Sequence, residues 1–213
     1  MSEILYTYGE MLVQAVAVHI LYVSISVVIG FALGLAAGIL LSRIPSYSRV
    51  IVPLLSVFQT IPGLVFIGVL FILWGDTGLT VIVALSIYAM FPVLKNTYTG
   101  ILEVEQKYIE AARGCGMSAF QRLIKVELPL AFPTIMTGLR MSAVYTVSWA
   151  VLAAMIGKGG LGDFVYQGVS SNNNTLILLG AVPAAALAVL AGSFIDLLRK
   201  HLTSAGMRKE GKR

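Results

Sequence analysis

The chain has 213 residues, of which 58% are hydrophobic and 12% are charged, and its mean hydropathy is +0.89. Soluble domains carry about 25% charged residues, so this composition predicts an integral membrane protein and leaves no room for a soluble catalytic domain. The net charge of +5 does not indicate nucleic-acid binding, because the basic residues stand beside the hydrophobic runs. We expect a single transmembrane domain over residues 1–213, with no catalytic residues of its own.

Five hydrophobic runs predict an all-α membrane fold with about five transmembrane helices. They cover residues 11–42, 50–73, 79–94, 130–156 and 175–198. A helix needs about 20 residues to cross the bilayer core, and only the third run falls short of that length. This run crosses the core if it extends to Tyr98. An odd number of spans places the two termini on opposite sides.

The basic residues orient the spans, because loops rich in Lys and Arg remain in the cytoplasm. Only Lys158 falls on the other side, and Arg140 lies within the fourth run. We therefore expect the N-terminus outside, the C-terminus inside and a basic cytoplasmic tail at residues 199–213. The residues on the expected cytoplasmic side are Arg43, Arg49, Lys95, Lys107, Arg113, Arg122, Lys125, Arg199, Lys200, Arg208, Lys209, Lys212 and Arg213.

Glycines recur every four residues in the first run, at Gly30, Gly34 and Gly38. Such a stripe of small residues lets the backbone of another helix approach closely. The pattern predicts a helix–helix contact without identifying the partner helix.

The second run is interrupted at residues 59–63, Gln-Thr-Ile-Pro-Gly. Proline removes a backbone donor and disturbs the carbonyl one turn earlier. Transport proteins commonly place broken helices at mid-membrane beside a hydrated path, which makes Gln59, Thr60 and Pro62 candidates for a translocation path. A packing kink with Gln59 bonded to a neighbouring helix is the alternative, and the sequence favours neither.

Short polar segments flank the third run. Residues 74–78, Trp-Gly-Asp-Thr-Gly, are typical of a tight external turn. Residues 95–100, Lys-Asn-Thr-Tyr-Thr-Gly, predict a polar exit into the cytoplasm, where Lys95 suits a helix end and the phospholipid headgroups.

The longest polar stretch between hydrophobic runs is residues 106–129. It predicts two short helices, the first over residues 106–115, with a break at Gly116 where the turn favours a backbone conformation costly for other residues. Ser118 and Gln121 fit a capping box at the start of the second helix, and Pro129 is expected to end it.

The second helix of this stretch is amphipathic. Phe120, Leu123 and Ile124 are expected on one face, opposite polar residues that include Gln121 and Lys125. The pattern is typical of a helix that binds a partner and equally of one that lies on lipid headgroups.

Polar and aromatic residues gather in the fourth run. Tyr145 and Trp149 are one helical step apart, and Ser148 lies between them in sequence. Aromatic faces attract quaternary ammonium groups weakly, so these three residues are further candidates for a translocation path, although ordinary aromatic packing explains them equally well. Arg140 predicts either an ion pair within the bundle or a side chain that reaches the headgroups.

Residues 157–163, Gly-Lys-Gly-Gly-Leu-Gly-Asp, superficially resemble a phosphate-binding loop but lack its Gly-Lys-Ser/Thr ending and preceding strand. We expect instead an external or re-entrant loop, through residues 165–174, that folds closely over the mouth of the bundle. No metal site is predicted, because His19 and His201 are far apart and Cys115 is the single cysteine.

The spacing within residues 106–129 resembles the EAA signature of ATP-binding-cassette (ABC) importer permeases. The matching residues are Glu110, Ala111, Ala112, Gly116, Val126, Leu128 and Pro129, and the one departure is Val126, where that signature usually has isoleucine. By this resemblance the stretch binds a separate ATPase. We call residues 106–129 the coupling element.

Residues 59–62, 95–100 and 159–163 extend the resemblance to permease subunits of bacterial glycine betaine, carnitine and choline ABC importers, over residues 22–198. It implies a methionine-permease-like fold, a second permease subunit and an extracellular solute-binding protein. Two ATPase subunits would bind ATP and Mg²⁺, so this chain needs no cofactor.

Three other functions remain open. The first is an ABC permease for amino acids such as methionine. A secondary transporter is disfavoured, because no second broken-helix segment and no mid-span acidic residue is present. A membrane scaffold that transports nothing would explain the amphipathic element but not the break at mid-membrane.

Overall fold

The computed structural model describes residues 2–75, 78–154 and 159–202, which contain helices and no strands. The all-α fold predicted from the hydrophobic runs is confirmed. A π-helix, Leu123–Glu127, joins the α-helices Ala119–Arg122 and Leu128–Ala153. The α-helices are α1 (Ser2–Arg43), α2 (Pro45–Phe58), α3 (Gly63–Trp74), α4 (Gly78–Leu102), α5 (Gln106–Gly114), α6 (Ala119–Arg122), α7 (Leu128–Ala153), α8 (Leu161–Ser170) and α9 (Asn174–Leu202).

Parts of four predicted features lie outside the described residues. They are residues 76–77 of the external turn, residues 155–156 of the fourth hydrophobic run, residues 157–158 of the glycine-rich segment, and the basic tail beyond Leu202. Trp74 ends α3 and Gly78 begins α4, as expected for residues that flank a turn between two helices.

The glycine stripe of α1 packs against α4. A methyl group added at Gly30, Gly34 or Gly38 would lie 2.6 Å from an atom of α4. At Gly34 that atom is the Met90 carbonyl oxygen, and at Gly38 it is Cβ of Thr97. The predicted helix–helix contact is therefore confirmed, and its partner is the third span.

The order of contacts along α1 and α4 shows that the two helices run parallel. Tyr22 contacts Gly78 near the start of α4, whereas Gly38 contacts Thr97 near its end. The chain between them must therefore cross back, and α2 and α3, about 21 and 18 Å long at 1.5 Å per residue, make that crossing together. Within the described residues, four further stretches are long and apolar enough to cross a membrane: Tyr8–Arg43, Gly78–Leu102, Ala119–Ala153 and Asn174–Leu202.

Together with α2 and α3, these stretches agree with the about five transmembrane helices predicted from the hydrophobic runs. α7 runs antiparallel to α4, because Ser142 donates a hydrogen bond to the Ala89 carbonyl while Gly100 packs beside Thr134. The end of α9 lies beside the start of α7, because Arg199 Nη1 donates to Thr137 Oγ1 at 3.5 Å. The end of α1 at Arg43, the coupling element and the end of α9 therefore share one end of the bundle, which we call the basic end.

The third span is longer than its hydrophobic run, since α4 continues to Leu102. The extension of this span to Tyr98 is therefore confirmed, whereas the helix end expected at Lys95, before a polar exit over residues 95–100, is wrong. Asn96 donates to the Pro92 carbonyl at 2.8 Å, and Thr97 and Gly100 are buried against neighbouring helices. Small polar residues can be buried in a bundle when their side chains hydrogen-bond within their own helix. Polarity alone therefore did not show whether residues 95–100 form a helix or a loop.

Arg140 of α7 forms an ion pair with Asp196 of α9. The distance from Arg140 Nε to Asp196 Oδ2 is 2.9 Å, and both side chains are about half exposed. Of the two outcomes predicted for Arg140, pairing within the bundle is the one observed.

The segment after α7 forms a helix where the sequence predicted a loop at residues 165–174. α8 ends at Ser170, and Asn172, in the short turn that follows, has a φ of 52°. Asn173 Oδ1 then accepts a hydrogen bond from the Thr175 N–H at the start of α9. Glycines and asparagines at both ends of a ten-residue helix produced the loop-like pattern. The predicted close packing is present, because a methyl group at Gly162 would lie 2.0 Å from the Val151 carbonyl oxygen.

Candidate functional site

The first helix of the coupling element ends at a left-handed glycine. Gly116 has a φ of 75°, its N–H donates to the Arg113 carbonyl at 2.9 Å, and the Met117 N–H donates to the Ala112 carbonyl at 3.1 Å. These two bonds form a Schellman motif, whose left-handed residue satisfies the last carbonyls of a helix. No described atom would lie within 4 Å of a methyl group at Gly116, so the backbone conformation, and not crowding, requires glycine.

A capping box starts the second helix, as the sequence predicted. The Gln121 N–H donates to Ser118 Oγ at 3.2 Å, and the Ser118 N–H donates to Gln121 Oε1 at 2.9 Å. Both bonds satisfy backbone donors that a helix N-terminus leaves free. The geometry between α5 and α6 is thus fixed on both sides of the turn.

The Glu-Ala-Ala residues divide between the surface and the interior. Glu110 and Ala111 are exposed at the basic end, whereas Ala112 is buried. Because the three are consecutive on α5, the exposed pair is held in place by the burial of its neighbour. This arrangement leaves Glu110 accessible to another protein.

The second helix of the coupling element does not end at Pro129, and that prediction is wrong. α6 continues through the π-helix into α7, and Pro129 lies in the first turn of α7. The wider π turn directly before the proline relieves the clash of its ring with the carbonyl four residues earlier. The coupling element and the fourth span are therefore one continuous helical segment.

The predicted apolar face of α6 is split by this π turn. Leu123 and Leu128 pack against a core cluster that includes Ile101 of α4. Phe120 and Ile124 remain 72% and 48% exposed. One of the predicted apolar residues thus attaches the element to the spans, and the other two stay at the surface.

The interruption of the second span is present between α2 and α3. Gln59, Thr60 and Pro62 are exposed, and Thr60 Oγ1 donates to the Val57 carbonyl at 2.7 Å. The break itself is therefore confirmed, while a role for these residues in a translocation path stays a prediction.

Tyr88 of α4 supplies the polar partner that the break requires. Its hydroxyl donates to the Ile61 carbonyl at 2.9 Å. Its ring stacks on Trp149 with 4.8 Å between centroids, and the Trp149 ring in turn lies against Gly63. A carbonyl freed inside a membrane needs a donor, so Tyr88 fixes the position of the broken helix.

The structure brings part of the predicted path together. Trp149 contacts Gly63, so α7 and the break are neighbours. The Trp149 ring is stacked on Tyr88, which is the ordinary aromatic packing that the sequence left open as an alternative. Tyr145, one turn away on α7, keeps 48% of its surface exposed, and Ser148 is also exposed.

Residues 9–205 match the family model described as "binding-protein-dependent transport system inner membrane component". The chain belongs to this permease family. It is therefore a multi-pass membrane protein whose family forms the membrane component of binding-protein-dependent transport systems.

Named relatives of this permease cover nearly its full length. The carnitine transport permease protein OpuCB of Listeria monocytogenes is 40% identical over 190 residues, which are 89% of this chain and 87% of that protein. The choline transport system permease protein OpuBB of Bacillus subtilis is 36% identical over 97% of this chain and 95% of its own length.

The fold of this permease is also similar to a solved transporter. A chain of the MetNI methionine ABC transporter, in an inward-facing conformation, aligns with a TM-score of 0.81 and 26% identity, covering 93% of this permease and 99% of that chain. The methionine-permease-like fold expected from the sequence is confirmed.

Sequence reasoning does not single out two residues that hold these sites together. Tyr88 is one tyrosine in an apolar span, and only its contact with Ile61 distinguishes it. Glu127 directly precedes Leu128 and Pro129, and it is buried although it is charged. A carboxylate between the apolar residues of the signature was the available signal for Glu127.

Proposed function

We propose that this permease is the transmembrane subunit of an ATP-driven importer that moves glycine betaine, carnitine or choline into the cell by alternating access. The observation that carries the proposal is the similarity to relatives named for carnitine and choline transport, at 40% and 36% identity over nearly the whole chain. The similarity to the methionine transporter is lower, at 26% identity, and supports the shared fold.

The proposed orientation places the basic end in the cytoplasm, with the N-terminus outside and the C-terminus inside. The positive-inside rule supports it, because Arg43, the coupling element and the end of α9 share that end. An ATPase can reach the coupling element only from the cytoplasm, where ATP is available.

Two ABC ATPase subunits are the proposed partners of the coupling element, and they would bind ATP and Mg²⁺. Glu110 and Gly116 are the proposed contact residues, supported by the exposure of both and by the rigid turn around Gly116. ATP binding would move this element, and the continuous helix from α6 into α7 would carry the motion into the membrane.

A second permease subunit would complete the path, and an extracellular solute-binding protein would deliver the solute. Gln59, Thr60 and Pro62 at the break, with Tyr145, Ser148 and Trp149 on α7, are the proposed path residues. An exposed tyrosine ring offers a quaternary ammonium group weak cation–π attraction, which suits passage better than tight binding.

The test is uptake into proteoliposomes that contain the permease, its ABC ATPase and its solute-binding protein. Labelled glycine betaine, choline, carnitine and methionine are supplied outside, with ATP inside. We expect ATP-dependent uptake of at least one quaternary ammonium solute and none of methionine. Uptake of methionine alone would support the amino-acid permease instead, and uptake without the ATPase would indicate a secondary transporter.

A further inference from the structure

Glu127 is a buried carboxylate at the last position of the π-helix. Its side chain is 3% exposed, although neighbouring residues of the coupling element such as Lys125 are exposed. An ionised carboxylate is rarely buried unless cations and hydrogen-bond donors surround it. The position therefore requires a specific structural reason.

Two arginines from different elements supply the counter-charges. Arg43 Nη2 pairs with Glu127 Oε2, and Arg122 Nε lies 3.4 Å from Glu127 Oε1. Arg43 is the last residue of α1, and Arg122 is the last residue of α6. One carboxylate thus joins the coupling element to a span that is 84 residues away in sequence.

The π-helix explains why such a connection is needed. A π turn is one of the places where a helix bends, so α6 would otherwise bend at this turn and pass less of its motion to the spans. Arg122 precedes the π turn and Glu127 ends it, so their pair bridges the turn. Arg43 extends the same connection to α1.

Apolar contacts strengthen the connection between the coupling element and α1. Leu123 of the π-helix and Leu35 and Ile39 of α1 pack against a single cluster around Ile101. The glycine stripe then holds α1 tightly against α4. A displacement of the coupling element is thereby passed to three spans. It reaches α7 directly, and it reaches α1 and α4 through the ion pairs of Glu127 and the apolar cluster around Ile101.

We propose that the Arg43–Glu127–Arg122 cluster transmits the motion of the coupling element to α1, with Glu127 as the positioning residue that prevents free bending at the π turn. The inference rests on the proposed function, since it requires an ATPase that moves the coupling element. It assigns a mechanical role to residues outside both the exposed ATPase contact and the solute path.

The test compares two variants. Arg43→Gln removes only the ion pair between α1 and Glu127, whereas Glu127→Gln removes the ion pairs with both arginines. The matched control is Glu105→Gln, which breaks the exposed ion pair of Glu105 with Lys107, two residues near the start of α5. Each variant is reconstituted with the ATPase and the solute-binding protein. Copurified ATPase, ATP hydrolysis and uptake of labelled glycine betaine, choline and carnitine are measured together.

We expect both variants to retain ATPase binding and ATP hydrolysis while the solute taken up per ATP hydrolysed falls about tenfold, a change within the range typical of coupling between sites. Arg43→Lys should recover part of the loss, because it keeps the charge. Unchanged uptake per ATP in Arg43→Gln would overturn the proposal. A loss of ATPase binding in proportion to the loss of uptake would also overturn it. The cluster would then stabilise the folded coupling element without transmitting its motion.

The same experiment separates this inference from the proposed function. If the unmodified permease binds no ATPase and shows no ATP-dependent uptake, the proposed function fails. If the unmodified permease is active and Arg43→Gln is fully coupled, the proposed function stands and the role of the cluster is rejected.

Discussion

Gly63 and Trp149 lie in direct contact between α3 and α7, so close that a methyl group added at Gly63 would be 1.8 Å from Cζ3 of the Trp149 ring. The Trp149 ring cannot easily move away from Gly63, because it stacks on Tyr88 with 4.8 Å between centroids. Tyr88 also holds the Ile61 carbonyl at the break. The broken helix is thus positioned by one glycine and two aromatic rings.

Gly63→Ala is expected to displace Trp149 and loosen the break. Overpacking of this kind costs about 1–3 kcal/mol, so the melting temperature of the purified protein should fall. Tryptophan fluorescence, recorded in a Trp74→Phe background that leaves Trp149 as the single tryptophan, should shift as its packing changes. Solute uptake should fall as well.

The control for this prediction is Gly68→Ala on the same helix, where no described atom would lie within 4 Å of the added methyl group. Alanine is favoured over glycine in a helix by about 1 kcal/mol, so this variant should be neutral or more stable. Equal melting temperatures for the two variants would show that the contact with Trp149 does not constrain the break.

Gly34→Ala tests the packing of α1 on α4. The added methyl group would lie 2.6 Å from the Met90 carbonyl oxygen, a backbone atom that cannot rotate away. We expect separation of the two spans and a loss of stability of about 1–3 kcal/mol, measured by thermal unfolding in detergent. Gly9→Ala, in the same helix but with no described atom within 4 Å, should have no such effect.

Substitutions at Gly116 should follow the cost of a left-handed backbone. Gly116→Ala adds no clash, so its cost of about 1–2 kcal/mol is conformational, and Gly116→Asn should cost less because asparagine tolerates this region. Gly116→Asp should uncouple transport while membrane insertion stays intact. The measurements are ATPase copurification and uptake of labelled betaine.

The adjacent Gly114 provides the control for Gly116, because it also has open space around it and lies within α5. Gly114→Ala should retain ATPase binding and uptake. If Gly116→Ala matched Gly114→Ala in both assays, the Schellman turn would not matter for coupling.

Thr97→Val is expected to stabilise the protein. Thr97 Oγ1 is buried and has no hydrogen-bond partner within the described part of the chain, and such a group costs about 1–3 kcal/mol. Valine keeps the shape that contacts Gly38 while removing the hydroxyl. A higher melting temperature with unchanged uptake would support this; a lower one would show that the hydroxyl has a partner in the assembled transporter.

Much of the fold follows from local sequence. The spans, the break at residues 59–63, the capping box of Ser118 with Gln121 and the left-handed turn at Gly116 all depend on residues within a few positions of each other. The errors at Pro129 and at residues 95–100 and 165–174 have a common cause. Proline, glycine and small polar residues are frequent in loops, yet a bundle accepts them inside helices where packing and local hydrogen bonds compensate.

The sequence by itself determined the membrane class, the set of about five transmembrane helices and the position of the coupling element, because hydrophobicity, charge and helix-capping residues act over a few neighbouring positions. Only the tertiary structure decided that α4 receives the glycine stripe of α1, that Tyr88 bonds to the Ile61 carbonyl, and that Arg43 reaches Glu127. These pairings depend on how each helix is rotated and shifted against its neighbours. The π turn changes the rotation of the helix about its axis within five residues, and no local pattern in residues 106–129 predicted this turn.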